Sequence, residues 1–394
     1  MTARRVVSGM RPTGGLHLGH LRGVLRNWRA LQDAGDECFF FVADWHALTT
    51  EYAAPEQMRR HARDMVAAWV AAGIDPARAV LFRQSDVPAH AELFTLLSMI
   101  CPLPWLSHLP SYKEQKSRRG LDTHGFLGYP LLQCADIMIY RADAVPVGED
   151  QAPHIEFARE IARRFNRLYG ASESFLQKRL AVAAKIGGEA DKKIRAQQRD
   201  YAEKGDKEIL QNALADADSL ALDGAEKQTL RDDLRYGGDE ILRPPQALLA
   251  PTPKLPGTDG RKMSKSYDNA VDMFDPPEIV DEKIRGMPTD PARIRKTDKG
   301  EPEKCPVWGM HKIFSNEETR QWAEAGCRGA EIGCVECKTR LAGFINAELS
   351  PILARRDETD GGAAEDILAA GAARARETAE ETLRAVRVAM RISS

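Results

Sequence analysis

Short apolar runs alternate with amphipathic stretches through the first half of the chain. Arg5, Val6, Val7, Ser8 and Gly9 read as a strand that ends at a glycine, and Leu18, Leu21, Leu25 and Trp28 then fall on one helical face. Residues 38–44 are a continuous apolar run closed by Asp44, the pattern of a strand covered on both faces. Pro55 opens a second helix that carries Met58, Met65, Val66, Trp69 and Val70 toward Gly73. Residues 79–82 form a third strand, 91–100 a third helix, 129–140 another helix, 144–147 a short strand and 151–169 a helix. Alternation of this kind predicts an α/β fold built on a doubly wound parallel sheet.

The pattern changes after Gly187 and Gly188. Residues 189–243 are rich in Lys, Arg, Asp, Glu, Gln and Ala, with Ile209, Leu210, Ala213, Leu214 and Ala217 at helical spacing, as are Leu230 and Leu234. They predict an inserted helical hairpin, a solvated appendage. Pro244 and Pro245, then Pro251, Thr252 and Pro253, return the chain to the sheet over 244–274. Residues 275–394 predict a second, α-helical domain, interrupted by a Gly/Cys/Pro-rich segment between Lys304 and Lys338. Its last helix, 363–392, carries Arg374, Arg376, Arg384, Arg387 and Arg391 among acidic residues.

Composition narrows the class without naming a function. The chain has 394 residues, 43% of them hydrophobic and 29% charged, which suits a globular protein of two or three domains. A net charge of -2 gives no global basic field, although a local basic face would be enough to hold RNA. The first residues lack the apolar core of a signal peptide, and no apolar run approaches the ~20 residues that span a bilayer. The expected compartment is the cytoplasm, so the seven cysteines are expected to be free or metal-bound rather than paired.

Two distant segments carry the chemistry. Pro12, Thr13, Gly14, Gly15, Leu16, His17, Leu18, Gly19 and His20 follow the first strand and open a helix. A helix N-terminus presents unpaired N–H groups to an anion, and Gly14, Gly15 and Gly19 let a nucleotide approach the backbone. His17 and His20 can donate to a phosphate whose charge grows during attack. Far downstream, Lys262, Met263, Ser264, Lys265 and Ser266 place two ammonium groups on a loop of small residues, suited to neutralising departing pyrophosphate.

Together and in this order the two segments resemble the signature pair of class I aminoacyl-tRNA synthetases. Four further blocks are similar to tryptophanyl-tRNA synthetases: Ser8 to Gly14, Asp44 to Thr49, Tyr129 to Ile137, and Val145 to Gln151 followed by His154, Ile155 and Glu156. The resemblance spans almost the whole chain except the insertion. It implies a Rossmann-like catalytic domain in 1–188 and 244–274 and a tRNA anticodon-binding domain in 275–394. It implies that L-tryptophan and ATP, with Mg2+, form tryptophanyl-adenylate, and that the acyl group then passes to tRNA(Trp). Carried over by position, Asp136 accepts from the indole N–H, and His46, Gln133, Gln151 and Val147 line the amino-acid pocket. Arg11, Pro12, Thr13, Gly19, His20, Gly148, Glu149 and Asp150 contact ATP, along with Lys262, Met263, Ser264, Lys265 and Ser266. Arg11 and Gln133 stand where many relatives have other residues. A homodimer is implied; a membrane and DNA are not. The rival readings are a tyrosyl-type synthetase and a non-catalytic RNA-binding paralogue.

Cys305, Cys327, Cys334 and Cys337 are close in sequence, and the last two form C-x-x-C. Spacing alone leaves Zn2+, a [4Fe-4S] cluster and no metal all open. A branch of the tryptophanyl enzymes is similar here and carries an iron–sulfur cluster. Its Cys-x6-Cys-x2-Cys element matches Cys327, Cys334 and Cys337, and the resemblance favours [4Fe-4S] over zinc. Cys38, Cys101 and Cys134 read as packing residues.

Overall fold

The computed structural model describes residues 3–53, 55–110, 112–113, 122–204, 207–249, 255–356 and 362–392. Five strands form one parallel sheet: β1 (Arg5–Met10), β2 (Glu37–Val42), β3 (Ala79–Arg83), β4 (Ala144–Val147) and β5 (Gln246–Leu249), in the order β3-β2-β1-β4-β5. The chain runs outward from β1 to β3, then restarts beside β1 with β4. That reversal opens a crevice beyond the carboxyl ends of β1 and β4, where α/β sheets hold their ligands.

Alternation along β2 explains the two layers. Phe40 points to one face, where Trp28 stacks on it at 4.2 Å and Trp69 meets Trp28 edge-on at 5.0 Å. Phe39 points to the other, against Tyr140 at 4.7 Å. Both faces are buried, so the strand reads as an unbroken apolar run. That run ends at Val42; Asp44 opens the helix Asp44–Glu51 instead of closing the strand.

Three features depart from the sequence expectations. β5 was hidden because its four residues are mostly exposed and follow two prolines; the Pro251–Pro253 stretch beyond it lies outside the described residues. The insertion is more than a hairpin. Helices Gly188–Lys204, Lys207–Ser219 and Gly224–Tyr236 pack with the preceding helix Glu173–Ile186 around Val182, Ile194, Ala213, Leu230 and Leu234. Arg179, buried in that bundle, pairs with Asp191 at 2.6 Å and Asp233 at 2.5 Å, so the unit begins before residue 189.

The last helix, Gly362–Ala389, leaves the C-terminal domain and lies on β3. Its apolar face, Ala372, Ala375, Ala379, Leu383 and Val386, joins the same core as Phe39 and Phe82. At Gly371 a Cβ would stand 1.8 Å from the Leu81 carbonyl oxygen, so only glycine permits this contact. Arg374 and Arg376 donate to backbone carbonyls of Ala79 and Asp86, and Arg387 grips Glu92 at 2.6 Å. These arginines hold the helix to the sheet domain.

Candidate functional site

The histidine and lysine segments meet because the chain just after the lysine loop pairs with the chain just before the histidine helix. Leu18 N–H donates to the Val271 carbonyl at 3.0 Å, and Met273 N–H to the Leu16 carbonyl at 2.8 Å. Lys265 Nζ then reaches the Thr13 carbonyl at 3.3 Å. Pro12, Thr13, His17, His20, Ser264 and Lys265 line one cavity of about 480 Å³, together with Glu51, Glu56 and His61.

The two histidines are pre-set as donors. Gly19 N–H donates to His17 Nδ1 at 3.0 Å, and His17 N–H donates to His20 Nδ1 at 3.2 Å. Each Nδ1 is therefore an acceptor, which leaves the proton of a neutral ring on Nε2. Burial, reinforced by Lys265, lowers His17 to about 4. Burial, with His17 and then Lys265, lowers His20 to about 3. Both rings are neutral near pH 7. Gly15 and Gly19 are needed by the protein's own packing, not only by a nucleotide. A Cβ would stand 2.6 Å from Asp272 Oδ2 at Gly15 and 2.8 Å from the His17 ring at Gly19.

Asn269 holds the lysine loop, and sequence reasoning missed it. It is 1% exposed; its Oδ1 accepts from Ser264 N–H at 2.8 Å, and its Nδ2 donates to Asp259 at 2.7 Å and to the Lys262 carbonyl at 3.2 Å. Met263 does not line either cavity. Its side chain packs into the core beside Leu255 and Val271, so its role is to anchor the loop. The side chains of Asp150 and Ser266 lie outside the described residues.

A second cavity of about 1310 Å³ opens at the switch point, and His20 borders both. The expected tryptophan residues Asp136, His46, Gln133, Gln151 and Val147 line it together, with Arg11, Gly148, Glu149 and Lys262. Arg11 also donates to Thr50 Oγ1. Asp136 sits at the pocket's base on helix His124–Met138, 1% exposed. His46 Nε2 lies 2.6 Å from its Oδ2. Gln84 Nε2 and His90 Nδ1 lie 2.6 and 2.7 Å from its Oδ1. Burial alone would raise this carboxyl; His46 first, then His90, hold it down at about 2. Gln84 and His90 carry no sequence signal, since neither belongs to a motif.

The four cysteines lie on neighbouring elements. Cys305 precedes helix Pro306–Phe314, Cys327 is in Glu317–Gly329, and Cys334 and Cys337 open Cys334–Arg356. All four are free thiols. Burial, then Cys305, Cys327 and Cys334, push the Cys337 thiol up to about 12. Arg293 Nη1 donates to Cys327 Sγ at 3.6 Å. Among the described residues, no three His, Cys, Asp or Glu side chains converge closely enough to hold a metal ion. Cys38 and Cys134 are buried and Cys101 half-buried, as packing residues should be.

Comparison with known proteins places the chain in one family. The chain matches the family described as tRNA synthetases class I (W and Y) over residues 2–193 and 224–350. It is 50% identical over 398 residues to a tryptophan–tRNA ligase of Ralstonia nicotianae, covering 99% of each chain. A tryptophan–tRNA ligase of Thermotoga maritima is 42% identical, covering 98% of this chain and 99% of that one. Among solved structures, the tryptophanyl-tRNA synthetase of Campylobacter jejuni, complexed with ADP and tryptophan, superposes with a TM-score of 0.73 at 26% identity, over 98% of this chain and 99% of the other.

Proposed function

The chain belongs to the class I tRNA synthetases of the W and Y family, and from that premise we propose how it works as a tryptophan–tRNA ligase. The tryptophan carboxylate attacks the α-phosphorus of ATP, and the bond to the β-phosphate breaks. Pyrophosphate leaves and tryptophanyl-adenylate remains. A ribose hydroxyl of the terminal adenosine of tRNA(Trp) then attacks the activated carbonyl, and AMP departs. The magnesium ion travels with ATP on its phosphates.

Each step needs placed charge and position rather than covalent help from the protein. The larger cavity takes tryptophan against Asp136, with Gln133, Gln151, His46 and Val147 around it and the adenosine along Gly148, Glu149 and Asp150. The phosphates extend past His20 into the smaller cavity. There the Nε2 protons of His17 and His20 and the ammonium of Lys265 meet the growing charge, with Lys262 at the larger cavity's rim. A neutral ring still donates through Nε2, and a donor already in place needs no reorganisation at the moment of reaction. The observation that carries this reading is the Lys265–Thr13 contact, which brings both phosphate segments to one cavity bordering the Asp136 pocket.

Helices between residues 277 and 356 are read as the anticodon-binding part, and the four cysteines as a structural site within it. Four thiols in one neighbourhood, with an N–H donor from Arg293 to one sulfur, have the donor chemistry of [4Fe-4S], with Zn2+ second. No step of the reaction is assigned to this site. Met99, Leu103 and Trp105 are exposed apolar side chains close together in sequence, and a homodimer is the assembly proposed to cover them. No described helix is long and apolar enough to cross a membrane.

Charging of a tRNA(Trp) transcript with labelled tryptophan, run beside tRNA(Tyr) with tyrosine, tests the reading. Tryptophan on tRNA(Trp) alone is expected. Tyrosine on tRNA(Tyr) would make the chain a tyrosyl-type enzyme, and RNA binding with no ATP turnover would make it a non-catalytic paralogue.

A further inference from the structure

Asp136 is held by more than its pocket. His90 and Gln84, both 0% exposed, stand behind it and line neither cavity. Between them they place two donors on Oδ1, at 2.7 and 2.6 Å. Each carboxylate oxygen offers two lone-pair directions, so Oδ1 is saturated. Oδ2 takes a single donor, His46, whose side chain is 12% exposed at the cavity wall. One acceptor direction of the carboxylate remains, on the oxygen bonded to the pocket-lining His46.

The tautomer of His90 follows from the same contacts. A carboxylate only accepts, so Nδ1 of His90 carries the proton. Its Nε2 lies 2.7 Å from the hydroxyl of Tyr140, which is also 0% exposed. With Nδ1 protonated, a neutral ring accepts at Nε2 and Tyr140 donates. The rings of Phe41, Phe82 and Tyr140 surround the imidazole at 5.9, 6.1 and 5.3 Å and fix its plane. The chain of donors runs from Tyr140 to His90 to Asp136.

We propose that His90, seated between Tyr140 and Asp136, is a positioning residue for substrate specificity: with Gln84 it occupies Oδ1 of Asp136, so that the one open acceptor direction, on Oδ2, is reserved for the ring N–H of the amino acid. This deepens the assignment of Asp136 as the reader of the indole and rests on it. A carboxylate free to turn would satisfy itself elsewhere and tolerate a ring without a donor. A carboxylate pinned on its far oxygen leaves an acceptor stranded whenever the ring lacks an N–H. Sites built to pair a substrate N–H reject analogues lacking it for this reason.

The test compares L-tryptophan with its benzothienyl analogue, in which sulfur replaces the ring N–H, in ATP–pyrophosphate exchange. Wild type, Asp136→Ala, His90→Leu, His90→Asn and Tyr140→Phe are measured, with thermal melts to confirm folding. His90→Leu should cut the preference for tryptophan by roughly tenfold or more, through the tryptophan KM, with the ATP KM within about twofold of wild type. His90→Asn, whose side-chain amide can donate from near the Nδ1 position, should recover most of that loss. Tyr140→Phe should fall between them. If His90→Leu does not fold, Tyr140→Phe and His90→Asn carry the comparison. Wild-type preference in the folded His90→Leu and Tyr140→Phe proteins would overturn the proposal, as would equal losses in His90→Asn and His90→Leu. Should Asp136→Ala keep full preference, the assignment of Asp136 itself fails. Should Asp136→Ala lose it while both partner variants keep it, only the role of His90 fails.

Discussion

Lys265 Nζ donates to the carbonyl of Thr13 at 3.3 Å, across a sequence separation of 252 residues. The ammonium rests on the backbone of the glycine-rich loop that precedes the histidine helix. Burial lowers the pKa of Lys265, and the neighbouring carboxylate of Asp272 opposes that.

Lys265→Ala and His20→Ala should each slow adenylate formation far more than they weaken tryptophan binding. Losing one preorganised donor costs about 3 kcal/mol of barrier, roughly a hundredfold in rate. Single-turnover formation of tryptophanyl-adenylate reads this directly. Near-normal rates in both variants would remove the two residues from the phosphate role.

Asn269→Ala should act on the same step from a distance. It leaves the Ser264 N–H and the Lys262 carbonyl without their partner, which costs about 1–3 kcal/mol where such groups are buried. The lysine loop loosens, so kcat should fall while the tryptophan KM stays close to wild type. A lower affinity for tryptophan with kcat intact would show that Asn269 serves the other cavity.

Acid should destabilise the protein through its phosphate histidines. His17 and His20 titrate near 4 and 3 in the folded protein, below the ordinary 6.5 of an exposed imidazole. Between pH 6.5 and 4 the unfolded chain therefore binds more protons, and stability falls as pH falls through that window. Thermal midpoints measured from pH 7 to 4 should drop less steeply in a His17→Gln/His20→Gln protein than in wild type. Identical slopes would mean that the two rings are not held neutral by burial.

The cysteine site makes its own prediction. Protein purified without oxygen should be brown and hold about four irons per chain if the thiols bind [4Fe-4S]. Cys334→Ser should then weaken tRNA charging more than tryptophan activation. Colourless protein with about one zinc per chain would replace the iron and keep a structural role. Full charging without either metal would leave four reduced thiols.

Strands β1 to β4 and the residues assigned to the phosphates were legible because each left a local mark. The apolar run through Phe39, Phe40 and Phe41 announces a strand buried on both faces, and His17, His20, Lys262 and Lys265 sit in short strings with a chemical rationale. Legibility ended where meaning depends on a partner far along the chain. Helical spacing gives the apolar face of Gly362–Ala389 but not that it lies on β3, which Gly371 decides by letting the backbone touch Leu81. Met263 falls within a phosphate-handling string yet points into the core. Gln84 and His90 gain their role only because two helices and a strand end carry them to Asp136.

The most direct measurement is ATP–pyrophosphate exchange with each of the twenty amino acids supplied separately, in the presence of Mg2+. Exchange that depends on L-tryptophan, with tyrosine and phenylalanine near background, is the result predicted by an Asp136 pocket joined at His20 to the phosphate cavity. Exchange driven by tyrosine with tryptophan inert, or none with any amino acid, would contradict it.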